Sequence, residues 1–172
     1  MKLIPLSKRG KNKGKHFAQV DDEDYDYLMQ WNWCIQKGIY TLYVSALINN
    51  KKTLMHRLLL GLTDPKILGD HRDHNGLNNQ RNNLRRATHV ENAQNMSIKK
   101  RKSKGVYFRR RKIYKRKDDG SSFVLKEGWI VKIMANKKNN FIGTFKTKKQ
   151  AIKAYDEAAK IHFGEFAHLN CK

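Results

Sequence analysis

Between Gly69 and Asn95 the sequence reads GDHRDHNGLNNQRNNLRRATHVENAQN, a stretch rich in carboxylate, imidazole and amide side chains. Hydrolysis of a phosphodiester bond requires a base that deprotonates water, a cation that stabilises negative charge on the phosphate, and assistance to the leaving 3′ oxygen. The adjacent Asp70 and His71, with the asparagines that follow, offer side chains of these types. An Asn-rich loop between strands is common by itself, but the whole string favours a catalytic site.

This stretch, together with LMHR at 54–57, resembles the HNH nuclease family over about 40 residues. The matching pattern is D-H-x-D-x-N-x-x-N-N-x-x-x-N-L-R, followed by a Thr-initiated helix that contains Glu-Asn. The resemblance implies that Asp70 and Asn92 hold a metal ion through oxygen atoms and that His71 is the general base. It also implies that Asn83 orients the His71 ring through a hydrogen bond, and that His56 supports the site.

The same resemblance implies the ββα-metal arrangement, in which a twisted two-stranded hairpin packs on a helix with the metal held between them. The strands are expected at about 68–73 and 83–87. Thr88 and Glu91, three positions apart, form a capping-box pattern, which predicts that the helix begins there and that Asn92 lies in its first turn.

Two details of this arrangement require an explanation from the structure. The side chains of adjacent strand residues point to opposite faces, so we expect a local distortion that lets both Asp70 and His71 reach the site. His74 stands where the family often has glycine.

The ligand types predict a hard cation. Two oxygen ligands completed by waters and a DNA phosphate suit one Mg²⁺ or Mn²⁺ ion per active site. A zinc site formed by Cys34 with the histidines at 56, 71 and 74 is the alternative, but its spacing fits no ordinary zinc pattern and Asn is a poor zinc ligand.

The charge of the chain predicts a nucleic-acid partner. Lys and Arg number 37 against 15 Asp and Glu, for a formal net charge of +22, which attracts acidic polymers over a broad surface. Double-stranded DNA is the predicted partner. An anionic membrane is disfavoured because the basic residues accompany strand-like patterns and do not line an isolated amphipathic helix, and charge alone leaves an RNA-binding protein open.

The expected location is the cytoplasm, which for a phage-borne gene is that of the host cell. Cys34 and Cys171 are far apart and form no CxxC pair, which fits a reducing compartment. No apolar run follows the basic residues near the N-terminus, and no stretch of about 18 apolar residues occurs.

Residues 103–170 resemble the plant ethylene-response-factor (AP2/ERF) DNA-binding domain, which is also found attached to HNH nucleases of phages. The matching segments are SKGVYFRR at 103–110, GWIVKI at 128–133, FIGTF at 141–145, AIKAYDEAAKIHFG at 151–164 and AHLN at 167–170. In that family a three-stranded antiparallel sheet, backed by one helix, lays its outer face in the major groove.

Because successive side chains of a strand point to opposite faces, their order assigns each residue to one face of the predicted sheet. Facing the helix we expect Val106, Phe108, Trp129, Val131 and Ile133. The residues predicted to contact DNA are Lys104, Tyr107, Arg109, Arg111, Lys132, Met134, Phe141 and Thr144. Three of them depart from the family, since Tyr107 and Met134 replace arginines and Lys132 replaces an acid, so the family's GC-rich target does not carry over.

The N-terminal part is predicted to be a small mixed module. Asp21-Asp22-Glu23-Asp24 opens a short helical pattern, where acids suit a helix N-terminus better than a second metal site. Strands are expected at 30–35 and 39–48, with a turn at Asn49-Asn50, and Trp31 and Trp33 are interpreted as packing residues.

The predicted fold class is α+β, with an HNH module followed by a sheet on one helix. We expect an HNH nuclease domain with its N-terminal extension at 1–96, a basic linker at 97–104 and the AP2/ERF-like domain at 105–172. The run from Lys99 to Lys117 carries 12 Lys or Arg in 19 residues, which marks the boundary and favours phosphate contact over a nuclear-import signal or a merely solvated face.

These features predict a monomeric, site-specific homing endonuclease of the phage or intron type. Its HNH module is expected to cleave DNA, and its sheet to select the cleavage site. With one active site, a single binding event is expected to nick one strand. A catalytically inert, sequence-specific DNA-binding regulator is the alternative.

Overall fold

We analysed a computed structural model of the 172-residue chain, which describes residues 1–7, 14–39, 41–96, 103–115, 120–125 and 127–171. The chain divides into two compact units, Met1–Ala93 and Gln94–Lys172, each built from small sheets and short helices. Most of the predicted linker, residues 97–102, lies outside the described residues. Within the described ranges, no helix has the length and apolarity to cross a bilayer.

The first unit has one hydrophobic core, to which its small sheets and its first two helices contribute. Strands β1 (Lys2–Pro5) and β2 (Phe17–Val20) pair antiparallel, and helix α1 (Asp22–Leu28) follows with three acids in its first turn. An antiparallel sheet of β3 (Cys34–Lys37), β4 (Leu42–Ile48) and β5 (Lys51–Leu54) leads into helix α2 (Met55–Leu59). The predicted turn at Asn49-Asn50 is confirmed. Both residues have positive φ, as the tightest hairpin turns require, and asparagine adopts this conformation more readily than most residues.

Trp33 belongs to the core of this unit, as predicted. It is buried, and its indole Nε1 donates to the Leu28 carbonyl at 2.7 Å, which satisfies its one polar atom. Trp31 is only partly buried and meets Trp33 edge to face. The core residues are Ile4, Leu6, Ala18, Val20, Leu28, Trp33, Val44, Ala46 and Met55.

The hairpin predicted for the catalytic stretch is present. Strand β6 (Leu68–His71) pairs antiparallel with β7 (Leu84–Ala87), and a 3₁₀ turn at Arg81–Asn83 precedes β7. Helix α3 (His89–Asn95) begins where predicted. The Glu91 amide donates to the Thr88 hydroxyl, and the Glu91 carboxylate accepts from the Thr88 amide, so the capping box is confirmed.

The second unit contains the antiparallel three-stranded sheet and the single long helix predicted for residues 103–170. The sheet has the order β12 (Lys138–Phe145), β11 (Gly128–Ala135), β8 (Val106–Arg109), and it packs on helix α4 (Lys148–Phe163). Thr147 and Gln150 form the predicted capping box, and Gly164 ends the helix with a φ of +51°.

The segment from Ile113 to Glu127, which lies between the matched segments at 103–110 and 128–133, is not a simple turn. It contributes to β9 (Lys112–Lys115) and β10 (Ser122–Leu125), which pair with each other as a separate antiparallel hairpin. Residues 99–102, 116 and 117 of the basic run from Lys99 to Lys117 lie outside the described residues.

The faces of the sheet follow the predicted alternation, with one exception. Val106, Val131 and Ile133 are buried in the core against α4, and Trp129 packs at its margin. Phe108 was predicted to join them, but 45% of its surface is exposed. The reason is its place on β8, a short edge strand with a neighbour on one side only, where Phe108 contacts the ring of Trp129 opposite.

Candidate active site

Asp70 and His71 end strand β6, and both side chains are buried. The four residue pairs of the β6–β7 ladder run in register, Asp70 opposite Arg85 and His71 opposite Leu84. The ladder therefore shows no bulge of the kind we expected, and the two side chains meet different partners. Asp70 contacts Arg85, whereas His71 contacts a cluster of rings.

The carboxylate of Asp70 forms a buried ion pair. Arg85 donates to Asp70 Oδ2 from Nε at 2.8 Å and from Nη2 at 2.7 Å. Directly opposed positions of an antiparallel pair bring such side chains together. A carboxylate has about four lone-pair sites, so Asp70 can accept these hydrogen bonds and still bind a metal ion through an oxygen atom.

His71 lies against two further rings, those of His56 and Tyr43. The His56 ring meets His71 edge to face at 5.0 Å between centroids, and Tyr43 lies 5.6 Å from His56 and 6.0 Å from His71. Gly69 makes this approach possible, since a Cβ there would come within 2.4 Å of His56 Cδ2. His56, on helix α2, therefore packs against the His71 ring, and its expected part in the activity of the site stays a prediction.

Burial keeps the imidazoles neutral. It lowers the pKa of His56 to about 3, with further lowering by His71 and Arg57, and the Nδ1 atom of His56 is buried without a hydrogen-bond partner. Burial also lowers the pKa of His71, against opposing effects of Asn79, Asp73 and Asp70. A neutral imidazole is the form that accepts a proton. Burial, with the charge of Asp70, raises the pKa of the Tyr43 phenol.

The amide that faces the His71 ring is that of Asn79, and not that of Asn83 as predicted. Asn79 Oδ1 lies 3.4 Å from His71 Nε2. Asn79 Nδ2 donates to the Gly76 carbonyl at 3.3 Å, which fixes the orientation of the amide. Because an amide oxygen only accepts, this contact favours the tautomer in which Nε2 carries the proton and Nδ1 is the basic nitrogen of the ring.

Asn83 instead holds the loop that follows β6. Its Nδ2 donates to Asp73 Oδ1 at 2.9 Å and to the Asn78 carbonyl at 2.8 Å, and its Oδ1 accepts from the Asp73 amide at 3.1 Å. In this loop His74 has a φ of +63°. That region favours glycine, the residue that the resemblance to the family leads one to expect at this position.

Asn92 lies in the first turn of α3, where its amide donates to the Thr88 carbonyl at 3.0 Å. Since Thr88 alone separates β7 from α3, the helix start follows directly on the hairpin that carries Asp70. Carboxylate and amide oxygens of this kind fit a hard divalent cation. Among the described residues, no group of three or more His, Cys, Asp and Glu side chains is placed to hold a metal, so the alternative zinc site with Cys34 is not formed.

Six of the eight residues predicted to contact DNA share one face of the sheet in the second unit. Cross-strand pairing places Tyr107 and Thr144 opposite Ile130, and Lys132 opposite Phe141, on the face that does not pack on α4. The six are Tyr107, Arg109, Lys132, Met134, Phe141 and Thr144. A shift of register between Val131 and Lys132 leaves this assignment of faces intact.

The other two lie elsewhere. The ammonium of Lys104 donates to the Gln94 carbonyl at 2.6 Å and to the Met96 carbonyl at 3.2 Å, and burial lowers its pKa. The Lys104 ammonium therefore binds carbonyl groups of its own chain, and its contact with DNA stays a prediction. Arg111 is exposed just beyond the end of β8.

Sequence reasoning missed three residues of the site: Arg85, Asn79 and Tyr43. Arg85 had a signal, because pairing the predicted strands in register places it opposite Asp70. Asn79 was part of the matched string, but nothing local distinguishes it from the neighbouring asparagines. Tyr43 reaches the histidines through tertiary packing from β4, which no local pattern indicates.

Comparison with known proteins supplies one relative. The chain is 30% identical over 162 residues to an uncharacterized HNH endonuclease of Acanthamoeba polyphaga mimivirus, covering 94% of this chain and 78% of that protein. No family model matches the chain, and no solved structure is significantly similar to it.

Proposed function

This chain belongs to the HNH endonuclease family, and we propose that it is a site-specific DNA endonuclease that hydrolyses a phosphodiester bond in the presence of a divalent metal ion. The observation that carries the proposal is the environment of His71, a buried imidazole whose Nε2 faces an amide oxygen and whose pKa is lowered. Such a ring is neutral at neutral pH and has a basic Nδ1 atom.

In this proposal His71 removes a proton from the attacking water at Nδ1. Asn79 holds the opposite edge of the ring, and the packing of His56 and Tyr43 limits its rotation. Holding a base in one orientation contributes to the rate because little rearrangement remains before reaction.

One Mg²⁺ or Mn²⁺ ion would be held by Asp70 and Asn92. When bound, such an ion stabilises negative charge on the phosphate oxygens and assists the departing oxygen. Arg85 would keep the Asp70 carboxylate in place through its paired hydrogen bonds.

Double-stranded DNA is the proposed substrate, and the AP2/ERF-like sheet of the second unit is the proposed selector of the site. Its outer face combines cations with exposed Tyr107, Met134 and Phe141, which suits contact with both phosphates and base edges. We propose a cytoplasmic monomer of the homing type that nicks one strand in each binding event.

A supercoiled plasmid tests this function. With Mg²⁺ we expect conversion to the open-circular form, no conversion with EDTA, and nicks at defined positions when the ends are mapped on a random DNA library. Linear product without an open-circular intermediate would contradict nicking, and metal-independent cleavage would contradict the proposed chemistry.

One observation favours a second candidate, a sequence-specific DNA-binding regulator with an inert nuclease half. Arg85 already occupies Asp70 Oδ2 and could compete with a metal ion for that carboxylate. Sequence-selective DNA binding without any nicking, in Mg²⁺ or in Mn²⁺, would establish this alternative.

A further inference from the structure

We propose that the segment from Gln19 to Asp24, called the brace here, positions the His71 ring by holding the loop 77–81 that carries Asn79. This assigns a role in cleavage to the N-terminal module. The inference rests on the proposed function of His71 as the general base.

The first part of the brace pairs with the loop through the backbone. The Gln19 amide donates to the Leu77 carbonyl at 2.9 Å, and the Asn79 amide donates to the Gln19 carbonyl at 2.8 Å. Gln19 and Asn78 thereby form a parallel bridge outside the regular sheets. The end of β2 thus fixes the backbone on both sides of Asn78.

The second part of the brace holds the loop through carboxylates. Asp21 accepts from the Arg81 amide at 2.7 Å and from Gln80 Nε2 at 3.1 Å. Asp24, only 5% exposed, accepts from Arg81 Nε at 2.8 Å and from Nη2 at 2.6 Å. A bidentate pair of this type restricts orientation as well as distance.

Between these two attachments lies Asn79, whose side chain is completely buried at 0% exposure. Its amide bridges the Gly76 carbonyl and His71 Nε2. A shift of the loop would therefore move the amide oxygen of Asn79 that faces His71 Nε2. Misplacement of a catalytic group by about 1 Å can lower a rate by about 100-fold.

Helix α1 and its N-cap carry aspartates of two kinds, those that contact the loop and one that does not, which provides a matched control. Asp21 and Asp24 contact the loop, whereas Asp26 on the same helix is exposed. Asp26→Asn removes the same charge from the same element without touching the loop. Any effect of net charge on DNA affinity should therefore appear equally in Asp21→Asn, Asp24→Asn and Asp26→Asn.

The test measures the single-turnover cleavage rate at saturating DNA with Mg²⁺, the Kd for DNA, and the ring ¹⁵N chemical shifts of His71 at one fixed pH. We expect Asp21→Asn with Asp24→Asn to lower the rate about 10- to 100-fold, while the Kd of each single variant, Asp21→Asn or Asp24→Asn, stays close to that of Asp26→Asn. The ¹⁵N shifts should show a proton on Nε2 in the wild type and a mixture of tautomers in the double variant. Asp24→Glu, which keeps a carboxylate for Arg81, should restore most of the rate.

A double variant that cleaves at the wild-type rate, or that keeps the wild-type ¹⁵N shifts while its Tm falls, would overturn the inference and leave a purely structural brace. Asp21→Asn alone is the milder variant should the double variant fail to fold, and the same two outcomes decide it. A wild-type protein that does not cleave contradicts the proposed function instead, and the ¹⁵N shifts still test the brace because they require neither DNA nor cleavage.

Discussion

Arg85 and Asp70 face each other across the β6–β7 ladder, and two donors of the guanidinium converge on one oxygen of the carboxylate, at 2.8 and 2.7 Å. Both side chains are buried. Burying either charge alone is costly, so removal of one partner leaves an uncompensated charge in the hairpin. The pair therefore couples the stability of the hairpin to the position of the proposed metal ligand.

Arg85→Leu is expected to lower the free energy of unfolding by about 3–5 kcal/mol, because it removes the buried guanidinium that offsets the charge of the buried Asp70 carboxylate. Denaturant unfolding followed by circular dichroism measures the loss. The neighbouring Arg86, which is exposed, provides the control, and Arg86→Leu should cost less than about 1 kcal/mol. Similar losses in both variants would show that the pair stabilises the hairpin no more than a surface contact does.

Acid should destabilise the fold through His56. Its pKa of about 3 in the folded chain lies below the ordinary value of 6.5, so the unfolded chain binds the proton more readily between these values. The free energy of unfolding should therefore fall as pH falls below about 6.5, by up to about 1.4 kcal/mol per pH unit from this group. Unfolding curves between pH 7 and pH 4 measure the slope.

His56→Phe should flatten that slope, because the variant has no imidazole to protonate there. His89→Gln removes an exposed histidine of α3 and should keep the wild-type slope. A slope that is unchanged in His56→Phe would show that other groups cause the acid sensitivity.

Local signals in the sequence predicted several elements, although the strand expected at 30–35 lies at Cys34–Lys37. The capping boxes at Thr88 and Thr147, the turn at Asn49-Asn50 and the end of α4 at Gly164 each depend on neighbouring residues, and each is present. The hairpin of the catalytic stretch is also present, but it was expected from the resemblance to the HNH family and not from a local pattern.

The contacts that orient the site could not be predicted in this way. Asn79 and Asn83 are equivalent by type, and only the course of the loop determines which amide faces His71. Asp24 and Arg81 are separated by 57 positions, so their pairing follows from tertiary structure alone. Phe108 alternates correctly along β8, but its exposure depends on the position of that strand at the sheet edge.

Site selection should depend on the outer face of the sheet in the second unit. Arg109→Ala with Lys132→Ala is expected to reduce the fraction of cleavage at preferred sites in a random library while nonspecific nicking persists, because cations on this face would read or position the target. Lys149→Ala with Lys160→Ala makes the same charge change on exposed positions of α4 and should keep the selectivity. Unchanged selectivity in the first pair would refute the role of this face.

Metal dependence should report on Asp70. EDTA should abolish cleavage, Mg²⁺ or Mn²⁺ should restore it, and Zn²⁺ should not, because the proposed ligands are hard oxygen atoms. Asp70→Asn should raise the Mg²⁺ concentration for half-maximal rate at least about 10-fold. Asp64→Asn makes the same change on an exposed loop and should match the wild type. A wild-type Mg²⁺ requirement in Asp70→Asn would exclude Asp70 as a ligand.

The most direct test of the central claim is His71→Ala, measured as single-turnover cleavage with Mg²⁺ and as Kd for the same DNA, with His89→Ala as the control. Loss of the base should lower the rate by about 100- to 10,000-fold while Kd changes little, and the control should cleave normally. Retained cleavage, or an equal loss of cleavage and DNA binding, would contradict the assignment of His71 as the group that activates water.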